Sequence, residues 1–345
     1  MRVCGMPNRS HFNTKHIAMN YLRKVNKPHS SDITGAIRDK TYHGFYLSDA
    51  LDVLAKIPDS SIQLVLVDPP YNISIAGWDK FQNYMDWAKL WLKEVERILA
   101  ESGNLVVFGG FQYQEEAGSG DLLEIMHYLR HESNLRLVNM IVWHYKTGMG
   151  AHRFFANRHE EILWFAKSRK YFFDLDAVRI LFDEETKNKY RRDKRLNPES
   201  IEKGKNPTNV WEIERLSANS KERVGHPTQK PLDVIRRLVK GLSYPGSIVL
   251  DFFAGSGTTA IASIEEGRNS ILVDKDPQSK QFLQAQLANL SKRSNSTIYH
   301  FKKDYQLLEN EPLTGFFKLI DTEGECDSAK SVISGQSPRG ETSTQ

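Results

Sequence analysis

The chain has 345 residues, 39% of them apolar, enough for one large α/β domain or two small ones whose core needs no covalent staples. Its two cysteines, Cys4 and Cys326, lie in polar stretches near the ends and lack a Cys-x-x-Cys partner, which argues against disulfide or zinc frameworks and for a reducing, cytoplasmic setting. No apolar stretch approaches the roughly 20 residues of a membrane helix and the basic start lacks a signal-peptide segment, so neither membrane nor export is expected; 47 Lys and Arg against 43 Asp and Glu permits a polyanionic partner without requiring one.

Residues 1–40 are polar and basic without a sustained period and read as an N-terminal arm. The run 61–67 is apolar and bounded by turn residues, as a buried strand would be, and it ends abruptly in Asp68, Pro69, Pro70 and Tyr71. "YMDWAKLWLKEVERIL" over 84–99 repeats apolar residues at helical spacing, "GNLVVFGG" at 103–110 reads as the next strand, and a helix follows over 120–130. Such alternation predicts a mostly parallel, twisted sheet covered by helices on both faces. The runs 137–145 and 160–173, joined by Gly and Asn, suit an antiparallel hairpin at one edge. From 174 to 222 periodicity fades and Lys, Arg, Asn, Pro and Glu dominate, so this stretch reads as an insert. Within it "TKNKYRRDKR" concentrates Lys187, Lys189, Arg191, Arg192, Lys194 and Arg195, which alone is as much a solvated helix face as a site. The α/β rhythm resumes with a helix from Pro231, a strand at 247–250, a helix from Thr258 to Glu265 and a strand at 270–274. Residues 322–345 are rich in Ser, Thr and Gly and read as a disordered tail. The folded part therefore divides into 41–173, the insert 174–222, and 223–300.

"VLDFFAGSGTTAIA" at 249–262 places an acid, Asp251, at a strand end and a Gly-x-Gly turn before a helix, which is where doubly wound folds bind ligands. No Lys follows the glycines, so a triphosphate loop is excluded. A dinucleotide loop survives the spacing, because Ala260 can stand for the third glycine, and Asp274 at the next strand end can accept from a ribose diol.

"DFFAGSGTT", "DPPY" and "GHPTQKP" (225–231) together resemble the motifs of amino-DNA methyltransferases. The catalytic motif precedes the cofactor loop, the permuted order of the β group of that family. The span 40–290, with "RFFANRHEEI" and "KNPTNVW", resembles its RsrI-like adenine-N6 branch. The resemblance implies a Rossmann-like methyltransferase fold and S-adenosyl-L-methionine (AdoMet) as cofactor. It assigns Phe252, Phe253, Ala254, Gly255, Ser256 and Gly257 to the methionine and ribose portion, with Asp251 and Thr258 also among the cofactor-binding residues, Asp274 to the ribose hydroxyls, and Asp49 and Ala50 to the adenine ring. His226, Pro227, Thr228 and Lys230 would close the methionine end, with Asp68 beside it. Asp49 could equally cap a helix over 50–56. No metal is implied.

An exocyclic amine is a poor nucleophile because its lone pair is delocalised into the base. If Asp68 and the Pro69 carbonyl accept its hydrogens, the nitrogen is drawn toward tetrahedral geometry with the lone pair aimed at the methyl donor. Both prolines hold these acceptors still, Pro70 having only that role. Tyr71 offers a flat face to a base flipped out of double-stranded DNA, with Trp143 or Tyr145 as candidates for the other face and core packing as their alternative. C5-cytosine chemistry needs a thiolate that neither cysteine provides. Between adenine N6 and cytosine N4, the resemblance with Asp in first position favours adenine. The insert 174–222 is the expected target-recognition region, and 72–80 the expected loop that closes on DNA. The branch implies a type II modification enzyme whose partner restriction endonuclease shares the site without needing to bind, suggests GAATTC as target, and leaves a homodimer open. A catalytically silent AdoMet-dependent DNA-binding module and a nicotinamide-dependent oxidoreductase are the competing classes, the latter giving Asp-Pro-Pro-Tyr no role.

Overall fold

The computed structural model describes residues 40–71, 81, 83–110, 122–148, 150, 152–153, 155–294, 304–309 and 311–320. The expected arm at 1–39, closing loop at 72–80 and tail at 322–345 lie outside the described residues.

Strand β2 (Ile62–Val67) is buried along its whole length, and its alternate residues serve two cores. Ile62, Val65 and Val67 face one side with α2 (Tyr84–Ile98), α3 (Leu122–His131) and residues 313–320; Leu64 and Leu66 face the other with α7 (Leu232–Leu242) and α8 (Thr258–Glu266). A strand buried on both faces has no polar side, which is why the run 61–67 lacks alternation. The sheet has nine strands in the order β6-β4-β5-β3-β2-β7-β8-β1-β9, with β1 at Lys40–Leu47, β3 at Leu99–Gly109, β4 at Arg136–His144, β5 at His159–Ala166, β6 at Val210–Glu212, β7 at Ile248–Asp251, β8 at Asn269–Asp274 and β9 at Asp304–Glu309. Its pairings are parallel except those of β5, which runs against both β3 and β4. The Rossmann-like expectation and the antiparallel hairpin are both met.

Three expectations change. The hairpin is not the edge, because β6 pairs outside β4 through Val142↔Val210 and Trp143↔Trp211. Residues 174–222, expected as an insert outside the core, contribute to the core in part. Trp211 is buried in the α7 side of the core, while Val178, at the end of α4 (Leu175–Val178), packs so close to Gly241 that a methyl added there would lie 3.2 Å from its Cγ1. Only α5 (Glu184–Arg191) and α6 (Pro198–Lys203) stay peripheral, α5 burying none of its residues. The sheet also continues past the expected strands: β1 lies beside β8 and is flanked by β9. Strand β1 hides from a hydrophobic pattern because it buries polar groups, which are satisfied across the sheet. His43 Nε2 lies 2.8 Å from Thr41 Oγ1 and Nδ1 lies 2.8 Å from Ser270 Oγ. Burial pushes the His43 pKa down to about 3, so the ring is neutral.

Candidate active site

The carboxyl ends of β2, β7, β8 and β1 open onto one cavity, the usual ligand position of an open α/β sheet. Its floor is the turn after β7. Gly255 and Gly257 have φ of +47° and +75°, the left-handed region that L side chains avoid. A methyl added at Gly255 would come within 3.0 Å of His226 Nε2, and one at Gly257 within 2.8 Å of Leu283 Cδ1. The turn is tied down by backbone donors. Asp274 Oδ2 accepts from Gly255 N at 2.7 Å and Oδ1 from Asp276 N at 2.8 Å, so one side chain fixes two loops. Asp251 accepts from the Thr259 hydroxyl at 2.6 Å and from Phe253 N at 3.1 Å. Burial outweighs those hydrogen bonds and pushes the Asp251 pKa up to about 7; burial likewise raises that of Asp274, against its two backbone donors.

Of the residues assigned to the cofactor, Asp49, Ala50, Asp68, His226, Thr228, Lys230, Asp251, Phe252, Phe253, Ala254, Gly255, Ser256, Thr258 and Asp274 line this cavity. Gly257 and Pro227 do not: Gly257 packs behind the turn against Leu283, and the Pro227 carbonyl accepts from Arg223 at 3.3 Å. Asp49 does cap α1 (Ala50–Leu54), accepting from Leu51 N at 2.9 Å, and lines the cavity as well. One wall escaped sequence reasoning. Phe81 stacks on Trp87 at 4.4 Å and Trp87 leans on Phe253 at 5.6 Å, with Trp91 beside them. Its only sequence signal is the four-residue spacing of Trp87 and Trp91, which places both on one face of α2.

At the mouth of the cavity the prolines end β2, and Asp68 meets three other ionisable groups. Lys230 Nζ lies 2.6 Å from Asp68 Oδ2 and 3.4 Å from Glu160 Oε2. The Tyr71 hydroxyl donates to Asp68 Oδ1 at 2.8 Å and lies 3.5 Å from Glu160 Oε2. Lys230 is aimed inward by a stapled segment. Gln229 accepts from Val224 N at 3.0 Å and donates to the Glu222 carbonyl at 2.9 Å, while the Glu222 carboxylate accepts from Leu232 N at 2.6 Å at the start of α7. Burial works against the Lys230 ammonium, yet Asp68 and Glu160 hold its pKa above the ordinary lysine value. Burial and then the same two carboxylates raise the Tyr71 phenol well above its usual range, so it is a neutral donor.

This corner adds contacts to the expected residues and decides for core packing at Trp143 and Tyr145. Lys230 touches Asp68 as well as lining the cavity. The Tyr71 hydroxyl is turned toward Asp68, and neither Tyr71 nor the buried Pro69 lines the cavity, whereas Pro70 does. Trp143 is 1% exposed and donates its indole N–H to the Ile213 carbonyl at 2.7 Å, a packing residue. Tyr145 is buried beneath the Arg215 guanidinium, 4.5 Å from its ring centre. Glu160 carried no role in the sequence analysis, although it lies within the stretch "RFFANRHEEI" that contributes to the resemblance.

A family model described as a DNA methylase, of N6 and N4 methyltransferases, matches residues 62–286. The chain belongs to this DNA methylase family. It is 37% identical over 225 residues to the type II methyltransferase M.BglII of Bacillus subtilis, covering 64% of this chain and 61% of that protein. M.ScaI of Streptomyces caespitosus is 31% identical over 243 residues, covering 68% of this chain and 76% of its own length. The DNA adenine methyltransferase YhdJ of Escherichia coli K12 is 33% identical over 238 residues, covering 66% and 76%. The fold is shared with the PvuII cytosine-N4-specific DNA methyltransferase, at a TM-score of 0.54 and 19% identity over 84% of this chain and 96% of that one. It is shared too with a putative DNA modification methylase of Thermus thermophilus in complex with AdoMet, at a TM-score of 0.52 and 24% identity over 78% and 99%.

In this chain half of the basic cluster of α5 and the turn after it is spent on neighbouring acids. Arg191 pairs with Glu202 at 2.5 Å, Arg195 with Asp193 at 2.7 Å and Lys187 with Glu184 at 2.9 Å. Among the described residues Lys189, Arg192 and Lys194 make no ion pair.

Proposed function

We propose that the protein is a site-specific DNA adenine-N6 methyltransferase that uses AdoMet and acts on a base flipped out of double-stranded DNA. The reading extends to the modification half of a type II restriction system working in the cytoplasm. The observation that carries it is Asp68, a carboxylate at the mouth of a cavity floored by an open glycine turn. The residues present fit the cofactor. The turn leaves the backbone bare where a side chain would fill the space, the wall is aromatic, and the lining acids Asp49, Asp68, Asp274 and Asp276 outnumber Lys230 and Lys275. Such a lining suits a ligand that carries positive charge.

AdoMet, when bound, supplies an electrophilic methyl on a cationic sulfur. What the chain supplies is position and charge. Asp68 accepts an N–H of the amine on the cavity wall, and the Pro69 carbonyl is the second acceptor once the base is seated. Withdrawing both hydrogens toward acceptors localises the nitrogen lone pair and points it into the cavity. Asp68 is also the group placed to take the proton that the nitrogen sheds. Lys189, Arg192 and Lys194, which make no ion pair among the described residues, are our candidates for phosphate contacts within the 174–222 recognition region.

The test is incubation of plasmid DNA with methyl-labelled AdoMet and purified protein. Label in DNA is expected; labelled protein-bound cofactor with no label in any DNA would defeat the enzyme reading in favour of a silent binding module.

A further inference from the structure

Each oxygen of Asp68 already accepts a hydrogen bond, so an incoming amine N–H has to compete with two donors for a carboxylate whose charge one of them, a cation, already neutralises. Oδ1 accepts from the Tyr71 hydroxyl at 2.8 Å and Oδ2 from the Lys230 ammonium at 2.6 Å. Both donors also face a second carboxylate. Glu160 Oε2 lies 3.4 Å from Lys230 Nζ and 3.5 Å from the Tyr71 hydroxyl, while the two donors stand 3.3 Å apart. Two donors are thus shared between two acids, each drawn closer to Asp68. Glu160 reaches this corner because β5 runs against its neighbours, so that its first residues, rather than its last, lie at the carboxyl ends of β2 and β3; Glu161 pairs with Gly109, the final residue of β3. Its side chain is 13% exposed, and a carboxylate so buried needs a cation or donors within reach.

Resting on the methyl-transfer reading above, we propose that Glu160 is the exchange partner of Asp68. When an amino base is seated, the Lys230 ammonium and the Tyr71 hydroxyl move to Glu160, and Asp68 is released to accept the amine. Before the base arrives, Lys230 neutralises Asp68 and occupies its acceptor; afterwards the same cation neutralises Glu160. The charge within the corner is the same in both arrangements, so the exchange exposes no new buried charge. Holding the strand does not call for this carboxylate, because the Glu160 backbone is already in register with Trp143 in the β4–β5 ladder. Glu160 is a positioning residue: it acts through Lys230 and Tyr71.

The proposal makes an unusual demand on a pair of variants. In E160Q the ammonium has only Asp68 to pair with, and single-turnover methylation of unmethylated DNA should slow by about 10- to 100-fold, the range of a hydrogen bond to a charged group. K230M should also be slow, because two facing carboxylates are left without a cation. The double variant E160Q/K230M restores both an Asp68 free of the cation and the original net charge, and should be faster than either single variant by about 10-fold when all four proteins are compared at saturating AdoMet, fixed for each by equilibrium binding. Losses that add, leaving the double variant slowest, would overturn the exchange. A second measurement needs no variant: in the wild-type complex with substrate DNA and the unreactive cofactor analogue sinefungin, Lys230 Nζ should lie closer to Glu160 than to Asp68. The 2.6 Å contact with Asp68 persisting beside a seated base would contradict the proposal. Wild-type protein that methylates no DNA would overturn the methyl-transfer reading and this inference with it; an active wild type with a slow double variant overturns the exchange alone.

Discussion

The floor of the cavity and its mouth are held by different kinds of contact. On the floor, Asp251 and Asp274 grip backbone N–H groups of Phe253, Gly255 and Asp276, and two glycines occupy conformations that other residues avoid. At the mouth, Asp68, Tyr71, Lys230 and Glu160 touch one another only through side chains, and each donor has two acceptors in view. A backbone-held floor is organised before its ligand arrives, whereas a side-chain network can rearrange at small cost in strain. We infer that the floor binds the cofactor in a fixed pose and that the mouth changes partners during turnover.

That contrast is open to attack on each side. The largest effect should come from Asp68→Ala, which removes the amine acceptor: turnover is expected to fall by at least about 10²- to 10³-fold with AdoMet affinity nearly unchanged. Parallel losses in rate and affinity would show that Asp68 belongs to the floor instead. Gly255→Val should do the reverse. Its φ of +47° and the nearby His226 ring leave no room for a branched side chain, so AdoMet affinity should drop by about 10- to 100-fold and the fold lose roughly 1–3 kcal/mol, read by equilibrium binding and denaturant titration.

A smaller effect separates buried acid from buried base through pH. Folded Asp251 keeps its proton up to about pH 7, whereas an unfolded aspartate loses it near pH 4. Between those values the folded state binds more protons, so the group's contribution to stability is lost as pH rises. Folded His43 takes a proton only near pH 3, so its contribution is present above pH 6.5 and lost as pH falls from there toward 3. Asp251→Asn should flatten the decline toward neutral pH and His43→Gln the decline toward acid pH, as seen in chemical denaturation across pH 3–8. Unchanged pH dependence in both variants would mean that neither group is buried as described. The smallest effect belongs to the periphery: Arg192→Ala should weaken DNA binding at every sequence and reduce the slope of log affinity against log salt by about one.

What could be read from the amino acids was whatever local pattern and spacing encode. The strand before Asp68, the helix with Trp87 and Trp91, the glycine turn after Asp251 and the acid at Asp274 all announce themselves, because each is a run of one period ending in residues that break it. Glu160 did not: the antiparallel hairpin with β4 was legible, but not that β5 would lie beside β3, which is what brings Glu160 to Lys230. Lys230 could be placed near the cofactor but not against Asp68, a partner 162 positions away. Strand β1 was hidden by His43 and Thr41, polar residues whose burial is intelligible only with Ser270 across the sheet. The reach of the 174–222 segment was misread for a related reason: three residues, Val210–Glu212, suffice to join the sheet edge, and so short a strand leaves little periodic trace.

Digestion of DNA methylated by the wild-type protein, with mass-spectrometric identification of the modified nucleoside and Asp68→Ala as control, tests the central claim most directly. N6-methyladenine that appears with the wild type and vanishes with the control is the expected result. N4-methylcytosine would contradict the base assignment, and methylation undiminished by Asp68→Ala would contradict the role given to the carboxylate.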